Sequence, residues 1–276
     1  MTACVLAVFL LGLLDKLPAS ATDCVINIGS NIDPIIATPP TTSIAFEPIV
    51  HHMIKAQPNL FVVPAAVSDA DGLEMMTVSG RSSVMPGTTS SLASLDTTKK
   101  TMHSYRSKLG LQKAGGAVKV VPVLSMRRVL NALPRNLTLA YLRTDMQGFD
   151  AVALRSAGQQ LLRAEFLAGE FNYQGFSAYT GMTNDLCTMV VDMNKLGFEL
   201  VGVVNRHLLY NRSVTYHHCG LDVPGGHELD DWPVWGDGSM EVDAFWASPK
   251  RTYTHPPVNK KHWPFGHVAL PSRVER

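Results

Sequence analysis

The sequence predicts an α/β fold built on one mostly parallel sheet. Three observations predict it. Short apolar runs recur from Cys24 to about Val204. Each ends in Gly or an acid, and connecting stretches separate one run from the next. A continuous apolar run bounded by turn residues reads as a strand buried on both faces, the habit of parallel sheets. A strand–connection–strand rhythm indicates α/β architecture.

The elements follow in order. The first strand, 24–28, closes on Gly29-Ser30-Asn31. The second, 43–47, ends in Glu47-Pro48. The third, 60–66, runs through Val67 into Ser68-Asp69-Ala70-Asp71-Gly72. The fourth, 137–143, leads into Arg143-Thr144-Asp145-Met146-Gln147-Gly148. The fifth, 164–171, carries Glu170 near its end; the sixth is 198–204, and a last strand lies at 242–247. One short helix is expected from Val50 to Ala56. A second runs from Ala151 to Leu162 with Asp150 as N-cap. The third runs from Asn184 to Leu196. There Leu186, Met189, Val190, Met193 and Leu196 recur at helical spacing, Asn184 stands as N-cap, and Gly197 takes the C′ position.

Two stretches break the rhythm. Residues 77–116 are rich in Ser, Thr, Gly and Lys and read as a lid over the strand ends or a solvated insertion. Residues 206–237 read as an insertion before the last strand, packed down by Trp232 and Trp235. The division is an apolar N-terminal segment at 1–22, a domain at 23–250 and an extended, Pro-rich, basic tail at 251–276.

Composition narrows the function. Apolar residues at 46% and charged ones at 17% describe a chain with a sizeable core. A net charge of +1 lacks the footprint of a nucleic-acid binder. The four cysteines include no CxxC pair, so neither a zinc knuckle nor a redox motif is indicated. Cys24 and Cys187 are expected as buried thiols. His217, His218, Cys219 and His227 have poor ligand spacing, so no metal is assigned. Val5 to Leu14 is too short to span a bilayer as a helix. Ala19-Ser20-Ala21 follows it, like a signal-peptidase site, but no Lys or Arg precedes it. A signal peptide and a packed helix both stay open, and with them a secretory or a cytoplasmic location. Only this segment offers a contact with a membrane. Two sequons, Asn136-Leu-Thr and Asn211-Arg-Ser, are compatible with secretion and do not decide it.

In open α/β sheets the ligand sits outside the carboxyl ends of the strands. Gly29, Glu47, Asp69 and Asp145 are therefore expected to converge on one crevice. A glycine after the first strand lets a ligand approach the backbone. An acid ending the second strand accepts hydrogen bonds from ribose hydroxyls. A carboxylate at Asp145 can orient a hydroxyl or take its proton. Arg143 can pair with it or with an anionic substrate. Glu170 shares the same mouth. A nicotinamide or flavin site would need GxGxxG, which is missing here.

Several segments together resemble the FkbM family of S-adenosylmethionine-dependent methyltransferases. Its first motif, Asp-x-Gly-x-Asn-x-Gly, appears as Asn27-Ile-Gly29-Ser30-Asn31-Ile-Asp33. Phe46-Glu47-Pro48 and Ala66-Val-Ser68-Asp69-Ala-Asp-Gly72 are intact. Arg143-Thr-Asp145-Met-Gln147-Gly148-Phe-Asp150 is similar to Lys-x-Asp-x-Glu-Gly-x-Glu, and Glu170 matches the acid of the fifth strand. The resemblance implies a Rossmann-like class I methyltransferase fold, with six parallel strands and an antiparallel last one. It implies O-methyl transfer from S-adenosyl-L-methionine to a small hydroxylated acceptor. Glu47 would then bind ribose, and Ser68 and Asp69 the adenine side. Asn27, Gly29, Ser30 and Asn31 would form the first-motif end, with Gly29 and Ser30 on the methionine moiety. Asp145 and Arg143 would act on the acceptor, with Gln147 and Glu170 beside it. The chain departs at Asn27 and at Asp33, which Pro34 follows. Only 17 residues separate Gly29 from Glu47, three of them Pro34, Pro39 and Pro40. The usual first helix cannot be full length there. A degenerate, non-catalytic binding module is the alternative those departures favour.

Overall fold

The computed structural model describes residues 17, 21–49, 51–78, 117–172, 184–205, 208–211, 215, 219–221 and 241–269. Most of the expected N-terminal segment, the bulk of both insertions and the last seven residues lie outside them; of that segment, Leu17 and Ala21 pack against the main core.

Eight strands form the main sheet, in the order β10-β9-β11-β8-β7-β1-β2-β3. They are β1 (Asp23–Ile28), β2 (Thr42–Phe46), β3 (Leu60–Val63), β7 (Thr138–Thr144), β8 (Ala164–Asn172), β9 (Glu199–Asn205), β10 (Leu208–Asn211) and β11 (Glu241–Ala247). Neighbours from β3 to β8 pair in parallel. The last strand, β11, slots antiparallel between β8 and β9. This is the expected Rossmann-like sheet, with one strand more: β10, from the second insertion, pairs antiparallel on the edge of β9.

The third apolar run does not stay whole. It breaks after Val63, and β4 (Ala66–Ser68) leaves for a second sheet of order β4-β6-β5. Its partners β5 (Gly72–Val78) and β6 (Ala117–Ser125) flank the first insertion as an antiparallel pair. Met76, Val121 and Val123 pack with Ala66 and Ile49 beneath this small sheet.

One face of the main sheet carries the helices α1 (Met126–Ala132), α2 (Asp150–Ala157) and α3 (Leu186–Lys195), over a core of Ile26, Leu142, Leu154, Met189 and Trp246. Val50–Ala56 shrinks to a single 3₁₀ turn at His51–Met53, and α2 gives way to a 3₁₀ segment at Gly158–Arg163. Two caps differ from expectation. Phe149 is the N-cap of α2, and Asp150 is its first helical residue. Asp185, accepting from the Thr188 amide, caps α3. Asn184 instead serves the neighbouring helix. Its Oδ1 accepts from Ala151 N at 2.8 Å and its Nδ2 donates to Glu170 O at 2.7 Å. A buried side chain from another segment thus satisfies an orphan amide at the start of α2.

The opposite face has no helix between β1 and β2 (Gly29 to Thr41 are loop) and none in the tail from 248 to 269. Irregular chain with turns covers it. Ile35, Ala37 and Trp263 bury against Val25, Tyr141, Phe166 and Phe245. The Trp263 ring meets Phe166 edge-on at 4.9 Å and Phe245 at 5.6 Å. Tyr141 donates its hydroxyl to His262 O, and Glu165 accepts from Thr252 and Tyr253. Both departures from the motif serve this arrangement. Asn27 Oδ1 accepts from Ile35 N at 3.1 Å, holding the β1–β2 loop on the sheet. Asp33 pairs with Lys261 of the tail, which lowers its pKa.

Of the two cysteines expected as buried thiols, only Cys24 is one; burial pushes its thiol up to about 12. Cys187 is half-buried and disulfide-bonded to Cys219. The two lie 32 residues apart, on α3 and beyond β10, so only the fold brings them together.

Candidate functional site

The chain turns from β3 to the other side of β1 when it enters β7, so the strand order reverses between β1 and β7. A reversal of this kind opens a crevice at the carboxyl ends of the strands. A cleft of about 730 Å³, its open mouth included, lies there. Its polar lining is Asn31, Glu47, Asp145 and Gln147; Ala65, Ala66, Val67, Met76 and Phe149 give it an apolar wall.

Glu47 follows β2 directly and is 6% exposed. Its Oε2 accepts from Asn31 N at 2.9 Å and its Oε1 from Ile49 N at 2.8 Å. Two backbone amides, one on each oxygen, hold the carboxylate in place. Gly29 bends the chain at φ +73°. Its amide and that of Ser30 both donate to Phe46 O. The close approach that requires glycine is from the protein itself: a Cβ at Gly29 would lie 1.9 Å from the Asp145 carbonyl oxygen.

Asp145 leaves β7 beside Gly29, its amide donating to Ile28 O at 3.0 Å. Its carboxylate accepts from Gln147 Nε2 at 3.0 Å, and the same nitrogen donates to Glu170 Oε2 at 3.1 Å. Arg143 lies 3.7 Å from Asp145 but 3.2 Å from Asp243 of β11. Burial works against the Arg143 charge, yet Asp243, Tyr141, Asp145 and Glu170 together outweigh it and the guanidinium stays firmly protonated. Burial raises the Asp243 pKa, and Arg143 offsets part of that. Arg143, Asp145, Gln147, Glu170 and Asp243 are thus one connected polar cluster at the strand ends.

Of the sequence-derived candidates, Gly29, Asn31, Glu47, Asp145 and Gln147 line the cleft, and Arg143 and Glu170 join through the cluster. Asn27 and Ser30 are buried and do not line it. Ser68 and Asp69 do not reach it either. The lining stops at Val67, and Ser68 Oγ donates to Asp69 Oδ1 at the end of β4. Asp69 was expected in the crevice as the end of a continuous third strand. The break after Val63 carries it into the small sheet instead. Asp243, Met76 and Phe149 were not read from the sequence. Asp243 becomes visible only once β11 is placed between β8 and β9.

Asp150 sits fully buried under the Asp145–Gln147 turn, accepting from Met146 N at 3.2 Å. Burial pushes its pKa up to about 7, with Asp145 adding to the rise and the Met146 amide opposing it. The folded state therefore binds this proton more tightly than the unfolded chain. Below the ordinary aspartate value both states are protonated and nothing is lost. As pH rises from there to about 7 the unfolded chain ionises first, and stability falls. Above that window the loss is constant. Asp150→Asn, neutral throughout and still able to accept from Met146, should gain on the unmodified protein across the window. Melting temperatures of the two from pH 3 to 9 check this; parallel curves would refute it.

No family model matches the chain, and no curated protein matches it. Among solved structures it is similar to a candidate methyltransferase from Thermobifida fusca YX. The two are 9% identical, with a TM-score of 0.33, over 89% of this chain and 81% of that one. The Rossmann-like fold expected from the sequence is the one observed. Among the described residues, no three His, Cys, Asp or Glu side chains are grouped to hold a metal ion, and no helix is long and apolar enough to cross a membrane.

Proposed function

We propose that the cleft binds S-adenosyl-L-methionine and that the chain is a methyltransferase, moving the methyl group to a hydroxyl of a small acceptor. The observation that carries this is Glu47: a buried carboxylate fixed by two amides, ending the second strand of a parallel sheet and facing the cleft beside the reversal of strand order. An acid so placed accepts from the hydroxyls of a ribose. The apolar wall of Ala65, Ala66, Val67, Met76 and Phe149 suits the faces of a purine ring. The residues present therefore fit the nucleoside half of the cofactor. Bound there, it would supply an already activated methyl group. The protein's own task is to orient the acceptor hydroxyl, hold its proton and exclude water. Asp145, steadied by Gln147 and Arg143, would orient that hydroxyl and accept the proton.

A second reading, a cofactor-fold binding module without turnover, has its own observation. The amides of Gly29 and Ser30 donate to Phe46 O, that of Asn31 to Glu47, and no helix follows. A methionine carboxylate would find few free donors at this turn.

Calorimetric titration of purified protein with S-adenosylmethionine and with its demethylated product tests the proposal. Saturable binding is expected. Glu47→Ala should weaken it at least about tenfold, since each charge-assisted hydrogen bond is worth roughly 1.5–3 kcal/mol. Glu47 also holds two loop amides, so a thermal melt of the variant accompanies the titration. A folded Glu47→Ala protein with undiminished affinity would refute the assignment. Binding without turnover on any hydroxylated acceptor would favour the second reading.

A further inference from the structure

We propose that this domain matures in an oxidising secretory compartment and carries an N-linked glycan on Asn136. Two independent structural observations converge on this. The first is the Cys187–Cys219 disulfide, with its Cα atoms 5.1 Å apart. Structural disulfides persist in secretory and extracellular proteins and are rare where glutathione and thioredoxin keep thiols reduced. The second is the position of the Asn136-Leu137-Thr138 sequon. Asn136 stands exposed on the turn between α1 and β7, flanked by exposed Pro134 and Arg135. Leu137 is buried and begins the descent into the sheet.

The placement is compatible with the cleft. Asn136 lies at the amino end of β7, and the cleft opens at its carboxyl end. Seven residues of strand put roughly 20 Å between them. A glycan at Asn136 would project away from the ligand's mouth. At sequence level, the apolar run Val5 to Leu14 and the small residues Ala19-Ser20-Ala21 give two of the three parts of an entry signal, with no basic residue before them. The other sequon, at Asn211, ends β10 and adds nothing here.

The chemistry balances with two reagents of that compartment. Asn136 Nδ2 attacks the anomeric carbon of a lipid-diphosphate oligosaccharide. The new C–N bond replaces the C–O bond to the diphosphate, which leaves with its electron pair, and one amide proton goes to the transferase. The thiols of Cys187 and Cys219 give up two electrons and two protons to the disulfide of a thiol oxidoreductase, which is thereby reduced to a dithiol.

The test is expression of the full chain, with its own N-terminus and no added leader, in a eukaryotic host. Peptide N-glycosidase should lower the mass of the unmodified protein and leave Asp at position 136 in the peptide map. Asn136→Gln should lose that modification and keep the melting temperature of the deglycosylated protein. Non-reducing maps should link Cys187 to Cys219. An unmodified Asn136, or both cysteines alkylated without prior reduction, would overturn the proposal. These readouts are masses, so they stand apart from whether the cleft binds its cofactor.

Discussion

Asp145→Asn is expected to lower turnover at least about a hundredfold while cofactor affinity changes little. The carboxylate leaves the central strand of the sheet where an acceptor hydroxyl and a transferable methyl group would have to meet. In the proposed reaction it would act late, fixing the attacking oxygen and taking its proton as the new bond to carbon forms. Asn keeps the size and loses the charge. The surroundings make the substitution clean. Gln147 can still donate to the Asn oxygen. Arg143 keeps its shorter pair with Asp243, 3.2 Å against 3.7 Å, so it is not released into the cleft. Steady-state kinetics with a titrated cofactor separates the roles. A fall confined to kcat marks a group acting in the transition state. Equal losses in cofactor binding and turnover would mark Asp145 as a structural member of the ion cluster, and the mechanism would have to be abandoned.

The main sheet was legible because its strands are buried on both faces, and continuous apolar runs such as Leu137–Leu142 announce that condition. The three-stranded sheet was not. The run at Ala117–Ser125 contains Pro122, which argues against a paired strand. The fold tolerates it because β4 pairs only with Val123–Ser125, just beyond the proline. In β5, Leu73 and Met75 alternate with Glu74 and Met76 on a half-exposed sheet, a weaker signal than a buried run. β10 is four residues long inside an insertion, too short for periodicity to speak. The disulfide was missed for a different reason. Connectivity cannot be read from spacing alone, and Cys187 at helical spacing looked like one more core position.

The site divided along the same line. Residues fixed by the ends of long strands, Glu47 and Asp145, fell where the topology of parallel sheets puts them. Residues whose place depended on the loops did not. Asn27 and Asp33 looked like damage to a glycine-rich motif. Both have structural roles, because irregular, turn-containing chain covers the face that the β1–β2 connection and the tail leave without helices. A single sequence shows that the helix cannot fit between Pro34 and Pro40. It does not show what the freed side chains will hold instead.

Gly29→Ala should destabilise the protein by about 3 kcal/mol or more, enough to unfold a domain of ordinary marginal stability. Two costs add. At φ +73° an L side chain is strained whatever space surrounds it. The new Cβ would also sit 1.9 Å from the Asp145 carbonyl oxygen and 2.8 Å from its carbon. That neighbour is backbone and cannot swing aside like a side-chain tip. Relief would require β1 and β7 to separate at their carboxyl ends, breaking the Asp145 N to Ile28 O bond. Asp145 and Glu47 would then lose their relative positions, so any protein that still folds should bind cofactor poorly. Gly72→Ala is the matched control. It has no positive φ, and nothing lies within 4 Å of its added Cβ. It should move stability by no more than about 0.5 kcal/mol. Urea denaturation of both variants decides the matter. If Gly29→Ala unfolds at the midpoint of the unmodified protein, β1 and β7 do not approach as closely as described. Glycine at 29 would then answer to a ligand rather than to the Asp145 backbone.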